Sequence, residues 1–188
     1  MICRLSGFGF LLAFAIQAAL LSYMLVARAS VLANGEEVRL PVVPVDPRDF
    51  LRGDYVILSY PMSRLDAAAL AGDDHFDYGA PVFVELASDG DVWTPIALHR
   101  TKPQGVTSIR GEIGGQRRPD GCDNQSCTVY DATYNLEKFF VPEGEGRELE
   151  TTRNAERMSV DVAVGTDGRA LLKRLRVDGE VRYEEKLF

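Results

Sequence analysis

The chain has 188 residues, 46% hydrophobic and 26% charged, a composition that excludes a disordered or low-complexity polymer. Its 28 acidic residues outweigh 21 basic ones, for a formal net charge of −7. A field of that sign repels phosphate backbones, so no nucleic-acid partner is expected.

Arg4 and Arg28 bracket an uncharged apolar stretch over residues 5–27. At about 1.5 Å rise per residue it can cross a hydrocarbon core of about 30 Å. It exceeds the apolar length of about 7–15 residues usual in a cleaved signal. Of the two small-x-small sites, Ala27-Arg28-Ala29 carries a charge, and the other is Val31-Leu32-Ala33. A retained transmembrane anchor over residues 1–33 is therefore favoured over a cleaved signal, with Ala29–Asn34 as a short tether. Arg4 and the amino terminus favour a tail inside and a domain over residues 34–188 outside the cytoplasm. Gln17, in mid-span, would prefer a hydrogen-bond partner on another helix. The residues after Ala33 hold 19 basic and 28 acidic side chains, a formal charge of −9, and amount to one ordinary domain.

Beyond the anchor, Glu36–Val45 reads as extended, an edge strand or a polyproline-like segment, because Pro41 and Pro44 each remove a ladder donor. Asp46-Pro47-Arg48-Asp49 signals a turn or one short helical turn. Tyr55–Tyr60 is a strand by composition, apolar on both faces, which predicts a central position. Ser63-Arg64-Leu65-Asp66 resembles a capping box and predicts a brief helix over Leu65–Ala71, stopped by Gly72. Val82, Val84 and Leu86 alternate along one strand. After the Asp89-Gly90 turn, Val92, Ile96 and Leu98 are expected on one face of the next. Thr128–Val141 favours strand, and Glu145–Met158 is charged and predicts a surface helix. Asp167-Gly168 and Asp178-Gly179 are hairpin signals that divide Val160–Val164, Leu171–Val177 and Val181–Tyr183 into a three-stranded meander. The fold class expected is α+β: a mainly antiparallel β domain with one or two short helices, preceded by one N-terminal transmembrane helix.

Cys122 and Cys127 bound a short turn-forming loop, GCDNQSC, and an oxidising compartment would let them pair. Free thiols or half of a metal site are the other readings. A tetrahedral site needs four ligands, whereas no CxxC or close histidine pair is present. His75 sits in the polar loop DDHFDYG with Asp73, Asp74 and Asp77, read as a solvated loop ahead of a weak metal cluster. His99 ends a strand. No phosphate-cradling loop or Ser-His-Asp grouping is recognised, and no metal or other cofactor is expected.

The most distinctive segment is Arg52-Gly53-Asp54-Tyr55-Val56-Ile57-Leu58-Ser59-Tyr60. Physically it is a turn delivering a strand: Gly53 can take φ > 0 and Asp54 can satisfy nearby backbone donors. Gly53-Asp54-Tyr55, Leu58 and Tyr60 resemble the pattern for which the GDYXXLXY family is named. The lead-in Val45–Val56 is similar to the family's, as are Tyr134 with Glu137–Gly146 and the closing hairpin at Asp178-Gly179. The resemblance implies a membrane-anchored domain of unassigned activity, with a multi-pass membrane protein as a possible partner. It supplies no catalytic residues. Arg52-Gly53-Asp54 is also an RGD tripeptide, but the strand that follows argues for burial. RGDYV resembles a strand motif of type I signal peptidases as well. Ser30 stands near the membrane edge as their nucleophile would, and Lys138 or Lys173 would have to act as base, without the expected context.

The favoured reading is an accessory or binding protein of the envelope in which Gly53, Asp54, Tyr55, Leu58 and Tyr60 are structural. Arg52, Glu137, Glu143 and Glu145 then offer a possible binding surface. The alternatives are an envelope hydrolase using the same carboxylates, or a module that binds a small molecule or a cell-wall fragment.

Overall fold

The computed structural model describes residues 3–43, 55–118, 127–140 and 157–185. It begins with one helix, α1 (Cys3–Asn34), which stands away from the domain for most of its length. Phe10, Leu11, Phe14 and Tyr23 are all more than 70% exposed. Gly9–Asn34 has a mean hydropathy of 2.1, long and apolar enough to cross a membrane.

Among the described residues twelve strands follow: β1 (Glu36–Pro41), β2 (Tyr55–Ile57), β3 (Arg64–Asp66), β4 (Ala71–Gly72), β5 (Pro81–Asp89), β6 (Val92–His99), β7 (Ser108–Arg117), β8 (Val129–Thr133), β9 (Lys138–Phe140), β10 (Met158–Val164), β11 (Ala170–Val177) and β12 (Glu180–Glu184). They form a four-stranded sheet in the order β1-β10-β11-β12, a six-stranded sheet in the order β3-β8-β7-β5-β6-β4, and a two-stranded ribbon of β2 and β9. All pairings are antiparallel except the short β4–β6 contact. One continuous core joins the sheets. Val38, Leu40, Val160, Val162 and Leu175 come from the first, and Val82, Val84, Leu98, Ile109 and Ile113 from the second.

The expected C-terminal meander is β10–β11–β12, and β1 adds to its open side as the edge strand that its prolines called for. Several local expectations gave way to tertiary pairing. Ala29–Asn34 is not a tether: the helix runs through it, Gly35 N–H donates to Val31 O at 2.8 Å, and β1 starts at the next residue. Leu65–Ala71 is not a helix. Arg64–Asp66 pairs with Val129–Asp131, which buries Leu65 completely. Ser63 closes a 3-10 turn (Pro61–Ser63), and its Oγ accepts from Tyr60 N–H at 3.1 Å. The capping-box letters therefore serve the turn before them.

Tyr55–Tyr60 is not a central strand of a large sheet. Three of its residues pair with β9, and Ser59 bridges to Val43. Ile96 leaves the face expected for it because the β5–β6 ladder shifts register there, with Glu85 opposite Ala97 and Leu86 opposite Pro95. The unpaired Ile96 is left exposed. Met158 begins β10 rather than ending a helix. Residues 145–156 of the helix expected over Glu145–Met158 and the turn expected at Asp46–Asp49 lie outside the described residues.

Candidate functional site

Two stretches singled out in the sequence, Leu58–Tyr60 and Tyr134–Phe140, meet in space. The ladder between β2 and β9 sets Tyr55 opposite Phe140 and Ile57 opposite Lys138, and Leu58 N–H extends it to Glu137 O at 2.8 Å. Beyond the ladder, two tyrosines cross. Tyr60 OH donates to Leu136 O at 2.6 Å, and Tyr134 OH donates to Met62 O at 2.5 Å. Both rings are buried, so each phenol satisfies a carbonyl that water cannot reach. Glu137 Oε1 accepts from Tyr134 N–H at 2.6 Å and so holds the turn in which Asn135 takes φ 58°. The Tyr134 ring also needs Gly111, because a Cβ there would sit 2.6 Å from the ring edge.

A third buried tyrosine fixes the neighbouring loop. Tyr130 OH accepts from Phe76 N–H at 3.2 Å and donates to Asp74 O at 3.1 Å, while the two rings pack edge to face with centroids 5.5 Å apart. The segment DDHFDYG is thus not wholly solvated: Phe76 is buried, and the Arg100 guanidinium lies 6.0 Å from its ring centroid. His75 is exposed 3.8 Å from Asp77, and His99 Nε2 lies 2.8 Å from Glu85. Among the described residues, no group of three or more His, Cys, Asp or Glu could hold a metal ion.

Burial, and secondarily the Glu137 charge, push the Tyr60 and Tyr134 phenols well above the ordinary tyrosine range. Unfolded tyrosines ionise near pH 10, at about their free value. Above that pH the unfolded chain holds fewer protons than the folded one, so stability is full below it and falls as pH rises. Tyr134→Phe is expected to lower stability at neutral pH by about 1–3 kcal/mol, through the unpaired Met62 carbonyl. The same variant should lose less additional stability than the parent on going to alkaline pH. Thermal melts at neutral and alkaline pH check this, and parallel pH profiles for the two proteins would refute it.

Of the predicted site residues, Leu58 and Tyr60 are buried and Tyr55 lies in β2. Glu137 is half-buried and engaged by the turn. Arg52, Gly53, Asp54, Glu143, Glu145 and Cys122 lie outside the described residues, whereas Cys127 lies within them.

A feature that the sequence did not reveal is a carboxylate enclosed by arginines. Asp161, in the middle of β10, is 1% exposed. Val160 and Val162 on either side of it enter the core, so Asp161 projects from the opposite face. Its Oδ1 accepts from Arg39 at 3.0 Å, and its Oδ2 accepts from Arg174 and Arg176, each at 2.7 Å. Glu37 joins the cluster by pairing with Arg174 and Lys173. These partners come from the two strands that flank β10 and are placed by register alone: Arg39 and Arg174 are the direct neighbours of Asp161 on β1 and β11.

Fold and site together define a class of protein: an apolar N-terminal helix continuous with an antiparallel-rich β domain, in which a short motif ribbon is bolted by crossed tyrosines. A family profile described as "GDYXXLXY protein" matches residues 17–175. The chain belongs to that family. Comparison with curated proteins and with solved structures found no match.

Proposed function

We propose that the chain is a single-pass envelope protein, anchored through residues 1–33, whose domain over residues 34–188 lies outside the cytoplasm and is an accessory or binding partner of another membrane protein. The observation that carries this reading is the exposed apolar helix. A helix apolar all round has no stable place in water and requires lipid or other helices around it. Gln17, exposed in mid-span, offers an amide to a neighbouring helix. In this reading Gly53, Asp54, Tyr55, Leu58 and Tyr60 build the scaffold, and Arg52, Glu137, Glu143 and Glu145 belong to its surface.

Crosslinking in membranes, followed by capture of the chain and mass spectrometry, tests the proposal. A multi-pass membrane protein linked reproducibly to α1 or to the domain is the expected result. A chain released from membranes by carbonate, with no such crosslink, would sink it. Asp54→Asn keeps shape and most acceptor capacity, so it should fold and complement a deletion normally. A stable but inactive Asp54→Asn protein would instead favour chemistry at the motif.

We further propose that Cys122 and Cys127 form a disulfide in the external compartment, closing a short loop and stabilising the domain by at most about 2–3 kcal/mol. Labelling intact cells with a membrane-impermeant thiol reagent, in a Cys3→Ser background, should modify both cysteines only after reduction. Full labelling without reductant would overturn the pairing, and no labelling in either state would overturn the outward orientation.

A further inference from the structure

A cleft of about 330 Å³ opens where α1 meets the domain, lined by Ser30, Asn34, Glu36, Lys102, Thr107 and Ser108 among others. Ser108, only 2% exposed, lies in its wall, and its hydroxyl is a buried polar atom with no hydrogen-bond partner among the described residues. Buried hydroxyls are normally satisfied, so an orphaned one in a cleft wall marks a place for a ligand's polar atom. Depth narrows the choice of ligand. On the anchor reading, on which this inference rests, Arg28 is the first charge beyond the apolar stretch. Ser30 and Asn34 then stand about 3 and 9 Å further along the helix axis. The polar headgroup layer on each side of a bilayer is about 5–7 Å thick. The Ser30 mouth of the cleft thus lies at headgroup level, with Asn34 just beyond it.

Its charges are paired rather than of one sign. Lys102 offers an ammonium with no ion-pair partner among the described residues. Glu36 offers a carboxylate, whose two oxygens accept from Thr107 Oγ1 at 2.8 Å each and keep further lone pairs. The C-terminal end of α1 adds negative dipole character beside Glu36. We infer that this cleft binds the headgroup of an aminophospholipid. Lys102 and the Ser108 hydroxyl receive the phosphate, while Glu36 and the helix end receive the primary ammonium. A simple anionic headgroup meets Glu36 unfavourably, and a trimethylammonium cannot donate a hydrogen bond to it.

The test uses the full-length protein, delipidated in detergent and titrated in native mass spectrometry with phosphatidylethanolamine, phosphatidylglycerol or phosphatidylcholine. Phosphatidylethanolamine should bind about tenfold more tightly than either of the others, the scale of one hydrogen bond to a charged group. Lys102→Glu and Glu36→Gln should each remove that preference, and Ser30→Tyr, which fills the mouth of the cleft, should abolish retention. Thermal melts confirm that the variants fold, and the exposed Lys102 is the least disruptive of the three sites. Equal binding of all three lipids, or a preference unchanged in Lys102→Glu, overturns the inference. So does displacement of the lipid by soluble glycerophosphoethanolamine at similar concentration, which would assign the site to a free phosphoamine. A chain that leaves membranes on carbonate washing defeats the anchor reading itself, whereas an integral chain without this lipid selectivity defeats only the cleft.

Discussion

Asp161→Ala is expected to lower the stability of the domain by about 3–5 kcal/mol, because it leaves arginines facing one another without the carboxylate that holds them. Arg39, Arg174 and Arg176 retain 30%, 19% and 17% of their side-chain exposure, so water recovers part of the loss and the lower end of that range applies. For a domain of this size the change corresponds to about 6–12 °C in melting temperature. Arg176→Met should cost far less, since Arg39 and Arg174 still satisfy both carboxylate oxygens. Circular-dichroism melts of the full chain in detergent read both effects. If Asp161→Ala melted within about 2 °C of the parent, the cage would contribute little to stability.

Leu58→Ala carries the second large effect, about 2–5 kcal/mol from lost burial and the cavity left behind. Leu58 is 1% exposed in the shared core, and its amide is the last link of the ribbon to Glu137. The substitution leaves that backbone bond in place and empties the space beneath it. The ribbon should therefore loosen before the rest of the domain does, and hydrogen exchange of Leu58 N–H should rise more than that of the amides of β10. Uniform acceleration across both would show that the motif ribbon is not a separate unit of stability.

The parts of the fold legible in the sequence are those fixed by local chemistry. Asp178 and Gly179 turn the last hairpin with φ of 53° and 83°, a conformation that few other residue pairs adopt readily. Val82, Val84 and Leu86 alternate into the core as their spacing required. The apolar helix needed only its length and lack of charge. The misread segments are those where a partner distant in sequence decided the outcome. Ser63–Asp66 carries a helix-start pattern, yet Leu65 gains more by pairing with Tyr130 and being buried than a one-turn helix could return. The burial of Leu58 and Tyr60 was foreseeable from their type, but their partners Glu137 and Leu136 lie more than 70 residues away. Nothing local marks Asp161 either: it sits in MSVDVAV, and Arg39 is 122 residues distant. Only strand register brings them together.

Between helix and sheet there is a single residue, Gly35, and a Cβ on it would sit 2.5 Å from Val31 O and 3.0 Å from Val164 O. A joint so short and so tightly boxed has no swivel. Arg28 reaches forward to Glu185 at 3.2 Å and braces it from the side. Any turn of α1 about its own axis must therefore carry the β domain round with it, by about 100° for each residue position by which the helix is re-docked. Whatever fixes the rotation of the helix thereby fixes which face the domain presents. A load applied to the domain returns as torque on the helix. In a chain built this way, helix and domain turn as one lever, with no slack between them.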